Sequence, residues 1–213
     1  MLVATDGSAI DNHNVAGWGI AIKEGDQRQK EGGMVKGADQ SSYAAELEAL
    51  RQLIKANKTE NRTLRILCDN KSVVDEFRKI QESLDNKVPD EKIPRFHFGS
   101  WLEIKENLEA QGNQIIEWIP SHGKQQGRWE GGGQYSEPEC RRLNREADEI
   151  AGEYSKRQQE RYGLEDYRLR LTRAKIEITK MIQIIHHLTL EYGNICEGLI
   201  EPGFLKEVTY GDE

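Results

Sequence analysis

The run Leu64-Arg65-Ile66-Leu67-Cys68-Asp69 restricts the possible folds more than any other stretch of this sequence. It is apolar enough to be a buried strand, and Lys71 to Ser83 reads as a helix starting at its C-terminal end. A strand-helix unit of this kind needs further strands beside it and helices over its faces, and the rest of the chain supplies both. Leu2 to Asp6 is a short apolar run ending in Thr5-Asp6-Gly7-Ser8. Gly17 to Lys23 alternates with glycine punctuation, after a polar loop, and a third strand is expected around Gln29 to Val35. From Ser41 to Asn57, Leu47, Leu50 and Ile54 recur at helical spacing with Glu48 and Gln52 opposite, the pattern of an amphipathic helix. Residues 84–99, holding Pro89 and Pro94, interrupt the pattern before a helix at Trp101 to Gln111 and a strand at Gln114 to Ile119. Gly123 to Pro138, with Gly131-Gly132-Gly133, reads as a long flexible loop, and Arg141 to about Gln159 as a helix. The order predicts an α/β protein with a mixed five-stranded sheet flanked by helices.

Composition acts mainly by exclusion. At 213 residues the default is one main fold plus an appended segment. Hydrophobic residues make up 36% and charged residues 31%, which is polar, yet the apolar periodicity argues for a folded chain. Cys68, Cys140 and Cys196 are odd in number and lack metal-ligand spacing, so neither a disulfide framework nor a zinc site is expected, and a reducing compartment fits best. No apolar run reaches the length of a bilayer span and no signal-peptide pattern precedes the first strand, so a cytosolic, nuclear or particle-borne protein is expected. The net charge of −7 opposes gripping nucleic acid by bulk electrostatics. Local basic groups, Lys124 with Arg128 and Arg141-Arg142-Arg145, fit phosphate contacts or scattered solvated charge equally well.

Four acids stand out to different degrees. Asp6 and Asp69 each terminate an apolar strand, where α/β sheets form ligand sites, although a turn or helix N-cap aspartate is the alternative. Glu46 projects within roughly 40° of Leu50 and closer still to Leu53, on the inward side of its helix, while Glu48 points away. An ionised carboxylate there costs several kcal/mol unless a metal or a buried arginine compensates it. Asp148 lies just beyond the Ala151 edge of the apolar face of Leu143, Ala147, Ile150, Ala151 and Tyr154, with Glu146 and Glu153 at the opposite edge, so helical position alone does not single it out.

In order, the chain carries Thr5-Asp6-Gly7-Ser8, Gly17-Trp18-Gly19, Ala45-Glu46-Leu47-Glu48-Ala49-Leu50, Cys68-Asp69-Asn70-Lys71-Ser72, Trp118-Ile119-Pro120-Ser121-His122-Gly123 and Asn144 to Ala151. This set resembles the type 1 ribonuclease H family over roughly residues 1–158, and in its Trp-x-Pro-x-His form the domains of retroelement polyproteins. The resemblance implies a ribonuclease H-like fold over residues 1–160 and hydrolysis of the RNA strand of RNA-DNA hybrids. It implies that Asp6, Glu46, Asp69 and Asp148 bind two Mg²⁺ ions, with Mn²⁺ as a possible substitute, and that His122 is a catalytic group able to shuttle a proton. Asn12, Asn14, Ser42, Lys71 and Asn144 are the implied substrate contacts. The alternatives are another metal nuclease of the superfamily acting on DNA, and a catalytically silent nucleic-acid-binding or polymerase-assembly domain.

Departures from the family pattern accompany the match. The interval from His122 to Asp148 is long, with an insertion carrying Trp129, three glycines and Tyr135, read as a tolerated loop or a substrate-contacting flap. Asn12, Asn14, Ser42 and Tyr43 match the 2′-hydroxyl contacts only loosely. Lys71 stands where the family often has glutamine, and no basic handle is evident between Ser83 and Trp101. His13, His97, His186 and His187 read as structural or surface residues.

The resemblance does not reach the C-terminal segment. Leu164, Tyr167, Leu171, Ala174, Ile178, Met181, Ile185, Leu188 and Tyr192 alternate steps of three and four, the seam of a long helix over residues 161–192, before an acidic tail at 193–213. Docking onto its own domain, self-association, or a partner such as a polymerase are the expectations for this helix.

Overall fold

The computed structural model describes residues 1–10, 14–37, 39–60, 62–85, 94, 96–111, 114–120, 129, 131–162 and 164–199. Five strands form one sheet: β1 (Leu2–Ile10), β2 (Val15–Glu24), β3 (Gln27–Met34), β4 (Arg65–Cys68) and β5 (Ile115–Trp118), in the order β3-β2-β1-β4-β5. The first three pair antiparallel, and β4 and β5 add in parallel beside β1. The helices are α1 (Ser42–Glu60), α2 (Lys71–Asp85), α3 (Phe98–Gln111), α4 (Glu137–Tyr162) and α5 (Leu164–Leu199). The mixed sheet flanked by helices is as expected.

Side-chain alternation along the strands builds two cores. Val3, Ile20, Ile66 and Ile116 turn toward α1, α2 and α3, where Leu47, Leu50, Ile54, Val74, Phe77, Trp101 and Ile104 close over them. Leu2, Ala4, Ala21 and Leu67 turn the other way and meet Leu143 and Ala147 of α4. Helix starts are set by local chemistry. Ser41 Oγ accepts from the Ala44 N–H at 3.1 Å and caps α1, Asn70 Oδ1 accepts from Val73 N–H at 3.3 Å and caps α2, and at the start of α4 Ser136 donates both its backbone N–H and its hydroxyl to Glu139 Oε2.

Two expectations need correction. Asp6 does not terminate its strand: β1 runs on to Ile10, because its far half forms a hairpin ladder with β2 out to Ile10↔Val15. The described part of the expected flexible loop, Trp129 and residues 131–136, is tied down. The Trp129 indole donates to the Trp118 carbonyl at 2.8 Å, and the Gly132 N–H donates to Glu117 Oε2 at 2.7 Å. Gly132 and Gly133 take positive φ, +89° and +59°, which suits glycine at that turn.

The chain divides into two compact units, the first Met1–Leu164 and the second beginning at Glu165. In the second unit α5 is continuous to Leu199, and every described side chain from 168 to 192 is exposed. No described helix is long and apolar enough to cross a membrane.

Candidate metal-binding site

Register brings the first two acids together. β1 and β4 pair in parallel with Thr5↔Cys68 as the last partners, so Asp6 and Asp69 are each the next residue beyond that ladder. Glu46 arrives from α1, and its approach depends on Gly7. A Cβ at Gly7 would lie 2.3 Å from the Glu46 backbone nitrogen and 2.6 Å from the Ala45 carbonyl carbon, so only glycine lets the helix come this close. One carboxylate oxygen each of Asp6, Glu46 and Asp69 lies within 4.8 Å of the others.

The fourth acid is carried on α4, and glycines again set the distance. Cβ atoms at Gly17 and Gly19 would meet the Ala151 and Ala147 carbonyl oxygens at 2.5 and 2.3 Å, which seats α4 directly on β2. Asp148 is half-buried and lies outside the tight group of three, but its charge acts on Asp6. Its neighbour Glu146 is engaged elsewhere, accepting from Arg28 at 2.7 Å and Arg142 at 3.1 Å.

Asp6 and Glu46 are only 4% and 3% exposed, without a basic partner among the described residues. Burial, reinforced by the charges of Asp69 and Asp148, pushes the Asp6 carboxyl up to about 8, although the Gly7 N–H at 2.7 Å from Oδ1 and a bond with Glu46 pull the other way. Burial, then the Asp6 and Asp69 charges, raise Glu46 well above the ordinary carboxylate range. The Cys68 thiol, 3.9 Å from Glu46 Oε2, is raised by the same burial and the same negative field. Among the described residues, Asp6 Oδ2 is buried with no hydrogen-bond partner. An orphaned acceptor, two desolvated acids and an all-oxygen donor set fit a hard divalent cation.

The sequence profile of the RNase H family matches residues 1–156. The chain belongs to the RNase H family. No curated protein matches it with significant sequence similarity. Among solved structures, the prototype foamy virus protease-reverse transcriptase superposes with a TM-score of 0.54 at 20% identity, covering 72% of this chain and 20% of that one. The solution structure of the PFV RNase H domain gives 0.53 at 21% identity, over 72% and 93% of the two chains. The foamy viral protease-reverse transcriptase in complex with RNA/DNA hybrid gives 0.50 at 21%, over 72% and 20%. The chain therefore spans about a fifth of the foamy virus protease-reverse transcriptase and most of the isolated PFV RNase H domain.

The remaining expected site residues of this RNase H domain are dispersed. Asn14 occupies the β1–β2 turn with φ +47°, Ser42 is exposed in the first turn of α1, and Lys71 is exposed at the start of α2. Asn144 is buried one turn before Asp148. Asn12 and His122 lie outside the described residues, as do Lys124 and Arg128. In the basic cluster, Arg141 pairs with Glu137 and Arg142 with Glu146, which leaves less positive charge facing outward than the sequence suggests.

Sequence reading gave no role of its own to Gly7, which sits inside a quoted motif, or to Trp118, and gave Tyr43 only a loose match to a 2′-hydroxyl contact. Trp118, noted only as the head of the His122 motif, donates its indole N–H to the Asp69 carbonyl at 2.9 Å and so buttresses a candidate ligand. Tyr43, one turn before Glu46, accepts from the Trp101 indole at 3.2 Å, and its ring packs at 5.6 Å from both Phe96 and His97. Phe96 is 63% exposed beside Tyr43.

Proposed function

We propose that this RNase H domain hydrolyses the RNA strand of RNA-DNA hybrids, with Asp6, Glu46, Asp69 and Asp148 as ligands for two divalent ions. The reading is carried by one observation: three carboxylates from β1, α1 and the end of β4 converge within 4.8 Å although two of them are buried. Desolvated acids repel one another, so a cluster of this kind is stable in its charged form only around a cation. Mg²⁺, with Mn²⁺ as substitute, would supply the charge that activates a water and stabilises the departing 3′ oxygen.

The chain's own residues do the rest. Asp6 and Glu46 give up their protons to act as ligands, and Gly7 fixes the spacing between their elements. Trp118 holds the Asp69 backbone. His122 carries a proton to or from the reacting oxygens. Lys71 contacts a phosphate from the start of α2, and Asn12, Asn14, Ser42 and Asn144 bind the hybrid's sugars. The exposed ring of Phe96 and its neighbour Tyr43 add a stacking surface. The work is done in the cytoplasm, the nucleus or a retroelement particle, where the buried thiols Cys68 and Cys140 stay reduced.

The test is cleavage of end-labelled RNA-DNA hybrid, duplex RNA and duplex DNA with Mg²⁺ or Mn²⁺, comparing the protein with Asp69→Asn. The expected result is RNA cleavage in the hybrid alone. In the variant it should fall about a thousandfold or more, because ligand loss forfeits several kcal/mol of charge stabilisation at 1.36 kcal/mol per tenfold. Cut DNA would transfer the reading to another nuclease of the superfamily, and an intact hybrid with either ion would leave a silent binding domain.

A further inference from the structure

Among its described residues, the second unit presents an exposed apolar stripe along a helix. Within α5, Leu171, Ala174, Ile178, Met181, Ile185, Leu188 and Tyr192 fall at successive steps of three and four, so they form one seam along the axis. Ile182 and Ile184 flank its middle. The exposures are high for such side chains: 56% at Ile178, 61% at Met181 and 59% at Ile185. Contiguous apolar surface of this kind marks an interaction site. The sustained seven-residue repeat narrows the partner to another helix with a matching repeat.

Charge then selects the partner and its direction. From 168 to 180 the charged residues are Arg168, Arg170, Arg173, Lys175 and Lys180 against Glu177 alone, whereas from 181 to 192 the only one is Glu191. Two copies side by side in parallel would bring Arg170 of one against Lys175 of the other, the seam-flanking pair that faces across a parallel coiled coil. Reversed, the same helix pairs Leu171 with Leu188, Ile178 with Met181 and Ala174 with Ile185, so each layer joins a first-position residue to a fourth-position one. The reversal brings Arg170 alongside the other copy's Glu191, which within its own helix lies 3.3 Å from His187. The basic stretch 168–180 of each helix then meets the stretch of the other that carries Glu191, twice by symmetry.

We infer that α5 is a self-association helix, pairing antiparallel with α5 of a second copy of this chain through the Leu171–Tyr192 seam. The pairing does not depend on the nuclease activity of the first unit. Antiparallel helices associate in even numbers, and the contact is isologous, so one substitution acts at both ends of the interface.

Sedimentation equilibrium on the full chain tests both parts. The wild type is expected at twice 24.4 kDa or an even multiple of it, and Ile178→Asp and Ile185→Asp at the mass of one chain. Because these side chains are exposed, both variants should keep the thermal transition of the first unit, which separates lost pairing from lost folding. Arg170→Glu and Glu191→Arg are each expected to raise the dissociation constant several-fold, and the double exchange to bring it back toward wild type. A monomeric wild type at every concentration, or an odd-numbered assembly, would overturn the inference. So would tighter association of Arg170→Glu, the signature of a parallel pair relieved of its Arg170–Lys175 repulsion.

Discussion

The acidic cluster around Asp6 and the seam of α5 use side chains in opposite ways. Around Asp6 and Glu46 the chain buries charge, with carboxylates 4% and 3% exposed at the end of a packed core. Along α5 it exposes hydrocarbon, with isoleucines more than half exposed through the helix middle. Each arrangement is unfavourable by itself, and each would be relieved by something outside the chain under the two readings proposed above: a cation in one case, another helix in the other. The contrast teaches that misplaced polarity is more informative about function than composition, which for this chain, at a net charge of −7, argues against the very substrate its acids suggest.

The strongest way to break the comparison is to titrate the buried end without metal. Asp6 is raised from 3.8 to about 8, so between those values the folded state holds more protons than the unfolded state. Stability of the metal-free protein must therefore fall as pH rises through that window, by an amount of order several kcal/mol at 1.36 kcal/mol per unit. Thermal melts in chelator should show the fall, Asp6→Asn should reduce it to the part that the raised Glu46 carries, and Mg²⁺ should restore stability most at pH 8. A melting temperature independent of pH in chelator would remove the case for a strained acid cluster.

Next in size is a matched pair of truncations. Leu50→Ala opens a cavity in the α1 core and should cost about 2–5 kcal/mol of stability by denaturant titration. Gly7→Ala places a methyl against the Glu46 backbone and should cost about 1–3 kcal/mol while lowering activity further than the stability loss explains. If Gly7→Ala cleaves hybrid at the wild-type rate, the spacing between β1 and α1 does not govern the site. At the small end, Ile178→Ala should shift the unfolding of the first unit by no more than about 0.5 kcal/mol, as for a surface position. A larger shift there would mean that the seam supports the first unit.

Legibility followed the range of the interactions. The helical phase of Glu46 against Leu50 and Leu53 is a local property, and the buried glutamate is where that phase puts it. Asp6 was expected at a strand end, and it stands one residue beyond the last pair of the parallel ladder with β4. The hairpin with β2 carries the strand four residues further, and the short run Gly7-Ser8-Ala9-Ile10 gives little sign of that pairing. The glycine-rich stretch before α4 looked loose for the same reason. Its anchors, Trp129 on the Trp118 carbonyl and Gly132 on Glu117, come from a neighbouring strand and leave no periodic trace. Likewise, Arg141-Arg142-Arg145 reads as a basic patch until the pairing of Arg141 and Arg142 with glutamates one turn away is seen.

By itself the sequence determined the kinds of element, the inward face of α1 and the unbroken seam of α5, because each is written in the spacing of residues a few positions apart. Tertiary structure alone decided that Asp6 and Asp69 stand side by side, that Gly7 admits Glu46 to join them, and that Asp148 rather than Glu146 keeps its carboxylate available near Asp6. The reason is physical. Periodicity says which way a side chain faces, but which distant side chain it meets depends on strand register and on how closely two backbones can pack.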